Sequence, residues 1–472
     1  MKTTIALVLA LALGARFAAP AHADAQPTAR DIQAAVDDYL AQAQSDANLV
    51  GGAADAGYDQ GFWIRSGDFT LKFNATLQTR YEAWVWDDSQ KPLLGEGANV
   101  QGHGSGFSLP RATLKLSGTA PCTLRYYVEL EFGHFGRDRL DIGLDGPLTD
   151  PLGPSAQSFN FDSTREAWIQ WGRSDAFKVR IGQIRTATTR QAMVVPELQQ
   201  FVDVSLATAF VGWTMPGYTD RNRDHGFGVH GTIGCDRRWS YLVTVTNGDG
   251  ADSIRNVLDT RTSDNLAYSG RLTWAFANPI GWQEGALRQH TCLWYGELGA
   301  WGYYYADRVD RAHATVTDAV RYGADLALGY SGWSLTAAYN GGRDENAAGG
   351  SVDYTAYLVQ LGYHFKGTAW ELAARYDAYD NEQGTPPFGG GPQQLPFATS
   401  GSVREFAFGV NYYLNGHGNR LSLDVSFVEG SDAGSAFLGD LLAGYPGVGA
   451  NGAGQGAETY GTLVRFQWQL AL

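Results

Sequence analysis

Phe69-Thr70-Leu71-Lys72-Phe73-Asn74-Ala75-Thr76-Leu77-Gln78-Thr79-Arg80-Tyr81-Glu82-Ala83-Trp84-Val85 is the stretch that decides the fold of this chain. Phe69, Leu71, Phe73, Ala75, Leu77, Tyr81, Ala83 and Val85 share one parity, and Thr70, Lys72, Asn74, Thr76, Gln78, Arg80 and Glu82 share the other. Successive side chains of a strand point to opposite faces, so one face of this segment is apolar and the other is wet. A cationic side chain held in mid-bilayer costs about 2–4 kcal/mol, so Lys72 and Arg80 must face a lumen if the apolar face meets lipid.

The split recurs along the chain. Leu114 and Leu116 oppose Arg111, Thr113 and Lys115; Phe177, Val179 and Ile181 oppose Lys178 and Arg180; Trp370, Leu372, Ala374 and Tyr376 oppose Glu371, Arg375 and Asp377. About sixteen such segments can be drawn, joined alternately by tight turns and long polar loops. The tight joins include Gly172-Arg173-Ser174-Asp175, Ser331-Gly332, Lys366-Gly367-Thr368 and Asn415-Gly416-His417-Gly418. An up-and-down barrel of the bacterial outer membrane sorts its connections in this way, with short periplasmic turns and long external loops. The expected fold class is therefore all-β: a transmembrane antiparallel barrel of about sixteen strands, wide enough for an aqueous channel, with a short N-terminal helix. The connection Ala277–Gln289 is too long for a periplasmic turn, and Pro110 is expected at the first residues of its strand.

The N-terminus carries a basic start at Lys2, an apolar run from Ile5 to Leu13 and Ala21-His22-Ala23, which read as a secretory signal peptide over residues 1–23. Residues 24–60 form a periplasmic helix and linker, since Ile32, Ala35, Val36, Tyr39, Leu40 and Ala43 recur at helical spacing; a frayed leader is the alternative. Residues 61–472 are the barrel. The chain has a net charge of -14, which becomes -16 once Lys2 and Arg16 leave with the leader, so nucleic acid is not an expected partner. Outer-membrane lipid is.

No catalytic constellation emerges. The eight histidines after the leader never fall at a metal-ligand spacing, no nucleophile motif accompanies them, and neither metal nor cofactor is expected. Cys122, Cys235 and Cys292 are read as small unpaired hydrophobes, with one bridging pair as the alternative. Aromatic clusters at Trp84 and Trp86, Tyr126 and Tyr127, Trp168 and Trp171, Trp301 with Tyr303 to Tyr305, and Tyr412 with Tyr413 are read as interfacial girdles.

What remains is electrostatic. Parity places the bases Lys72, Arg80, Arg111, Lys115, Arg125, Lys178, Arg180, Arg271 and Arg375 in the lumen, mostly from the first five strands. The acids Glu82, Glu129, Glu131, Glu166, Glu297, Asp325 and Glu371 share that interior. Opposed basic and acidic walls would orient dipolar solutes and screen them by charge. The longest connection, Thr186–Asn222, contains Val194, Val195, Phe201, Val202, Leu206 and Phe210, which is too apolar for a free surface loop. It is expected to fold inward as the constriction, carrying Arg185, Arg190, Glu197 and Asp203.

The order of several short motifs resembles the phosphate-selective porin O and P family. Gly61-Phe62-Trp63-Ile64-Arg65-Ser66 is similar to the family's opening, and Arg111 to Ser117 with Gly118 to its Arg-x-x-Leu-x-Leu-Ser-Gly strand. Gly182-Gln183-Ile184-Arg185 resembles the motif before the constriction loop, and Arg223-Asp224-His225-Gly226-Phe227-Gly228-Val229 the strand that returns from it. Trp370-Glu371-Leu372-Ala373-Ala374-Arg375-Tyr376 and Asn411-Tyr412-Tyr413-Leu414-Asn415 continue the pattern to the end of the chain. The chain departs from the family at Thr186-Ala187, where Pro-Phe is common, and in ending on Leu472. The resemblance implies a homotrimer of sixteen-stranded barrels with the third external loop folded inside. The expected function is an outer-membrane diffusion porin for small hydrophilic solutes, with a preference for anions or phosphate. An occluded, non-conducting structural or adhesive barrel is the alternative.

Overall fold

The computed structural model describes residues 54–86, 103–133, 164–208, 223–234, 236–248, 266–287, 291–310, 315–346, 351–381, 401–432 and 458–472. The expected leader, the helix over 28–48 and the far part of the 186–222 connection lie outside the described residues. Two short strands pair with each other before the first barrel strand: β1 (Asp55–Tyr58), in the stretch read as linker, and β2 (Phe62–Ser66), at the start of the stretch read as barrel. The first half of the barrel is β3 (Phe69–Trp86), β4 (His103–Ala120), β5 (Leu124–Glu131), β6 (Thr164–Ser174), β7 (Phe177–Arg185), β8 (Arg223–Ile233), β9 (Trp239–Thr246) and β10 (Ala267–Ala275). The second half is β11 (Trp294–Asp310), β12 (Thr315–Tyr330), β13 (Trp333–Asn346), β14 (Ser351–His364), β15 (Trp370–Asn381), β16 (Gly401–Asn415), β17 (Asn419–Asp432) and β18 (Glu458–Ala471). Each of these strands runs antiparallel to the next, and β18 returns to β3 from Gly461 opposite Trp86 to Ala471 opposite Thr76, which closes sixteen strands into a barrel.

The period-two pattern of the first strand is the geometry of the wall. Leu77 is 43% exposed on the outer face while its neighbour Gln78 is fully buried inside. The tight joins sit at one rim. Between β12 and β13 only Ser331 and Gly332 intervene, both with positive φ (43° and 90°), the two-residue turn whose twist matches that of paired strands. At the same rim β2 and β18 meet end to end along β3. The Asn74 amide donates to the Leu472 carbonyl at 2.9 Å and to the Gln60 carbonyl, fastening both segments to the first barrel strand.

Pro110 corrects one expectation. It lies inside β4, at a register shift where Gln78 pairs with Arg111 but Arg80 pairs with Ser108. The bulge supplies the position without a ladder N–H that proline needs within a strand.

The aromatic clusters also divide. At the short-turn rim the outer face carries a girdle of neighbouring rings: Trp239 on Trp274 at 5.6 Å, Trp294 on Tyr330 at 4.5 Å, Trp333 on Tyr363 at 4.6 Å and Trp370 on Tyr412 at 4.6 Å. Farther along the strands Tyr304, Tyr322, Tyr339 and Tyr357 form a second exposed set. Trp301, Tyr303 and Tyr305 do not belong to a girdle. They have inward parity and form a buried cluster with Ala267 and Ala319. Tyr127 and Trp168 likewise stack on each other at 5.4 Å on the inner face, and Tyr413 is buried. Clustering in sequence therefore marked strand ends, while parity alone decided which ring met lipid.

Candidate functional site

The interior is crossed by the connection that leaves β7. Its run Thr186-Ala187-Thr188-Thr189 is buried, followed by one turn of helix, α1 (Arg190–Met193), and a 3-10 turn over Pro196–Leu198 that Pro196 initiates. From Thr186 to Thr208 most residues are buried, as expected of an apolar loop folded into the barrel.

Its anchors come from nearly the whole wall. At its start the Ala187 N–H donates to Ser269 Oγ at 2.9 Å, and Arg271 donates to the Thr188 carbonyl at 2.9 Å. Arg271 also forms a two-pronged pair with Asp325 at 2.6 and 2.7 Å, and the Arg190 N–H donates to that same carboxylate at 3.1 Å. The Arg190 guanidinium meets Glu297 at 2.5 Å. In the middle of the loop, Glu197 accepts from Thr76 Oγ1 at 2.6 Å and pairs with Lys115, and its carbonyl accepts from Gln469. Burial would push the Glu197 carboxyl up. The Lys115 ammonium and the hydrogen bonds from Lys115 and Thr76 outweigh that and hold it down at about 2.

At the far side Arg420 donates to the Gln199 carbonyl at 2.6 Å, Asn411 to the Gln200 carbonyl at 2.8 Å, and the Val202 N–H to Asp424 at 3.2 Å. Phe201 is buried with Ala373 and Ala407, under the Arg375 guanidinium at 4.6 Å. Asp203 pairs with Arg80 at 2.7 Å and Arg465 at 3.3 Å, and its carbonyl accepts from Arg375. Arg185, at the end of β7, pairs with Glu166 at 2.5 Å and donates to the Met193 carbonyl. Arg190, Glu197 and Asp203 of the loop thus touch the wall, whereas Arg185 belongs to the wall and reaches the loop through Met193.

The lumen charges are interleaved rather than sorted onto opposed walls. Arg80 meets Glu82 on its own strand at 2.9 Å, Arg375 meets Asp377 at 3.0 Å and Glu405 at 2.9 Å, and Glu129 is reached by Arg165 at 3.3 Å. Buried ions need such partners because desolvation is costly. Exposure then separates the two signs. Glu82, Glu129, Glu131, Glu166, Glu297, Asp325 and Glu371 are all buried, as are Arg80, Arg111, Arg271 and Arg375. Lys72, Lys115, Arg125, Lys178 and Arg180 are not buried. The charges of this set that solvent reaches are therefore basic, and they lie on β3, β4, β5 and β7.

The expected lining set omits Arg223, Arg321, Arg420 and Arg465, all buried on the inner face. Their parity was the available signal. The set also omits Glu284, in the long connection after β10, where only the length of the segment stood out. Among the described residues no group of His, Cys, Asp and Glu could hold a metal ion, and Cys122 and Cys292 are free and exposed.

No curated protein matches the chain in sequence. Among solved structures, an anion-selective porin from Comamonas acidovorans is 14% identical, with 85% of this chain and 100% of that one covered and a TM-score of 0.52. Outer-membrane expressed OmpT of Vibrio cholerae is 10% identical over 86% of this chain and 99% of its own, with a TM-score of 0.48. The outer membrane channel DcaP of Acinetobacter baumannii is 11% identical over 85% and 97%, with a TM-score of 0.47. The first of these likenesses supports the porin barrel as a fold. The family described as phosphate-selective porin O and P matches residues 84–441, which is 358 of the 472 residues. A closed sixteen-stranded barrel, a loop folded across its lumen and that match together mean that the chain belongs to the phosphate-selective porin O and P family and is an outer-membrane diffusion porin.

Proposed function

We propose that this porin prefers anions, that Lys72, Lys115, Arg125, Lys178 and Arg180 supply the preference, and that the chain works as a homotrimer exported under a leader removed after Ala23. One observation carries the anion reading: the acids of the lining set are buried against arginines or backbone N–H groups, whereas five of its bases are half-buried or exposed, Arg125 most of all, with Lys115 beside Glu197 and Lys178 beside Asp175. A buried, paired carboxylate contributes little field to a passing solute. An open ammonium or guanidinium attracts counter-ions over roughly a Debye length of about 8 Å at physiological salt.

Solutes then diffuse past the basic strip on β3 to β7 and past Lys115 beside the constriction loop, with no energy coupling and no chemistry. Free phosphate and small organic anions are the solutes that such a strip suits. Reversal potential in a KCl gradient across a planar bilayer tests the reading. An anion-selective sign is expected, and a cation-selective sign would overturn it. Absence of any open step would instead favour the occluded barrel, which the burial of so much of the interior makes the second reading. Cross-linking in native membranes tests the trimer, and N-terminal sequencing of the exported protein tests cleavage after Ala23.

A further inference from the structure

The connection after β10 belongs to the short-turn rim, yet it does not stay there. Ile280, Glu284 and Ala286 are buried, and Glu284 is only 3% exposed. Its carboxylate accepts from Gln191 Nε2 at 2.9 Å, from the Gln200 N–H at 2.9 Å and from Gln360 Nε2 at 3.1 Å. Its own N–H donates to the Leu198 carbonyl at 2.9 Å. Gln191, Leu198 and Gln200 all belong to the constriction loop, so one residue of the turn holds three points of a loop that enters from the opposite mouth.

The neighbours of Glu284 repeat the arrangement. The Ile280 and Gly281 N–H groups donate to Glu297 at 3.0 and 3.1 Å, and Arg190 of the loop, itself paired to Glu297, donates to the Gly281 and Gln283 carbonyls. The Ala286 N–H donates to Glu371 at 3.0 Å, the carboxylate that also accepts from Gln200 of the loop at 2.8 Å. Wall, turn and loop thus share the same three carboxylates: Glu284, Glu297 and Glu371. A turn that only joined two strands would need none of these contacts, and the other short turns of the barrel have a few residues each.

We propose that Phe276–Leu287 is a second constriction element, a periplasmic brace that fixes the constriction loop from below, with Glu284 as its positioning residue. The inference rests on the porin reading. The loop's position sets the free cross-section, so the brace sets conductance and the contact of solutes with Lys115. Without Glu284 the Gln200 N–H loses its acceptor and Gln191 Nε2 keeps only the longer bond to Gln360 at 3.4 Å, so the loop gains freedom to shift away from β14 and β15.

The test is single-channel recording on the full-length protein carrying Glu284→Ala, with Val243→Ala on the outer face of β9 as control and heat-modifiable migration to show that each barrel is folded. Conductance is expected to rise about two-fold with added open-state noise and an altered reversal potential in Glu284→Ala, while Val243→Ala keeps wild-type values. A folded Glu284→Ala protein with wild-type conductance and reversal potential overturns the brace. Wild type that stays closed while Glu284→Ala opens supports the brace and rejects an open resting porin; both closed rejects both. If alanine prevents folding, Glu284→Gln, which turns one acceptor into a donor facing the loop, is read in the same way. A smaller rise is then expected, and no change overturns the brace.

Discussion

Asp203 and Arg80 meet through two hydrogen bonds, 2.7 Å from Nη1 and 3.2 Å from Nη2, across 123 positions of sequence. Arg465 approaches the same carboxylate, so one loop residue neutralises cations from β3 and β18, the two strands that close the barrel. Asp203→Asn removes that charge and leaves Arg80 with Glu82 and Arg465 with Asp424. Because both arginines keep a carboxylate, the loss is smaller than the roughly 3–5 kcal/mol of a buried charge left without any partner. The variant should lose its heat-modifiable form at lower temperature, and its reversal potential should move toward greater anion selectivity.

Charge reversal in the open basic strip should change selectivity with little effect on stability. Arg125 is exposed, and its guanidinium enters no ion pair among the described residues. Arg125→Glu should shift the reversal potential toward cations, while unfolding in urea stays within about 0.5 kcal/mol of wild type. An unchanged reversal potential would remove Arg125 from the selectivity set.

Glu197 makes a pH prediction with a definite sign. Its carboxyl is held at about 2 rather than the ordinary 4.5, so its contribution to stability is complete above 4.5 and is lost as pH falls toward 2. Conductance and unfolding resistance should be flat, as far as this residue governs them, from neutral pH down to about 5 and then erode. Glu197→Gln should bring the low-pH behaviour to pH 7, read by channel recording across that range.

Phe201 anchors the loop by packing rather than by charge. Its ring sits among Ala373 and Ala407 and fills the space over Gly409, where an added Cβ would come within 3.1 Å of it. Phe201→Ala should cost about 3–5 kcal/mol of loop anchoring and broaden the distribution of single-channel conductances. A narrow wild-type distribution would show that hydrogen bonds alone hold the loop.

Parity itself can be tested at Leu272 and Thr273, adjacent residues of β10 on opposite faces. Leu272 is 46% exposed outside, while Thr273 is buried inside. Leu272→Arg should lower assembly into the outer membrane, at about 2–4 kcal/mol for a cation on the lipid face. Fractionation should then show the protein lost from the membrane.

Most of the wall was legible because a strand has a period of two and the bilayer penalises charge on one face only. That single rule placed Arg80 and Gln78 inward and Leu77 and Tyr81 outward, and it closed sixteen strands. Loop 186–208 was legible as an exception, since its valines and Phe201 needed a covered place. Pro110 was misplaced because a bulge is set by the partner strand, which local sequence does not display. Trp301 and Tyr303 were assigned to a girdle because aromatic clustering reports a strand end without reporting a face. Glu284 was missed because the feature that gives it a role, three donors brought from Gln191, Gln200 and Gln360, exists only once strands distant in sequence are side by side.

The loop's partners set the order in which the barrel can mature. Glu197 alone reaches Thr76, 121 residues before it, and Gln469, 272 residues after it. Contacts of such separation form late, because chain entropy must be overcome before they return any stability. The first and last strands must therefore be in place before the loop can be fastened between them. A barrel closed without that fastening would have a wider lumen than the mature channel, so the long-range contacts of Glu197 tie the size of the opening to the completion of the wall.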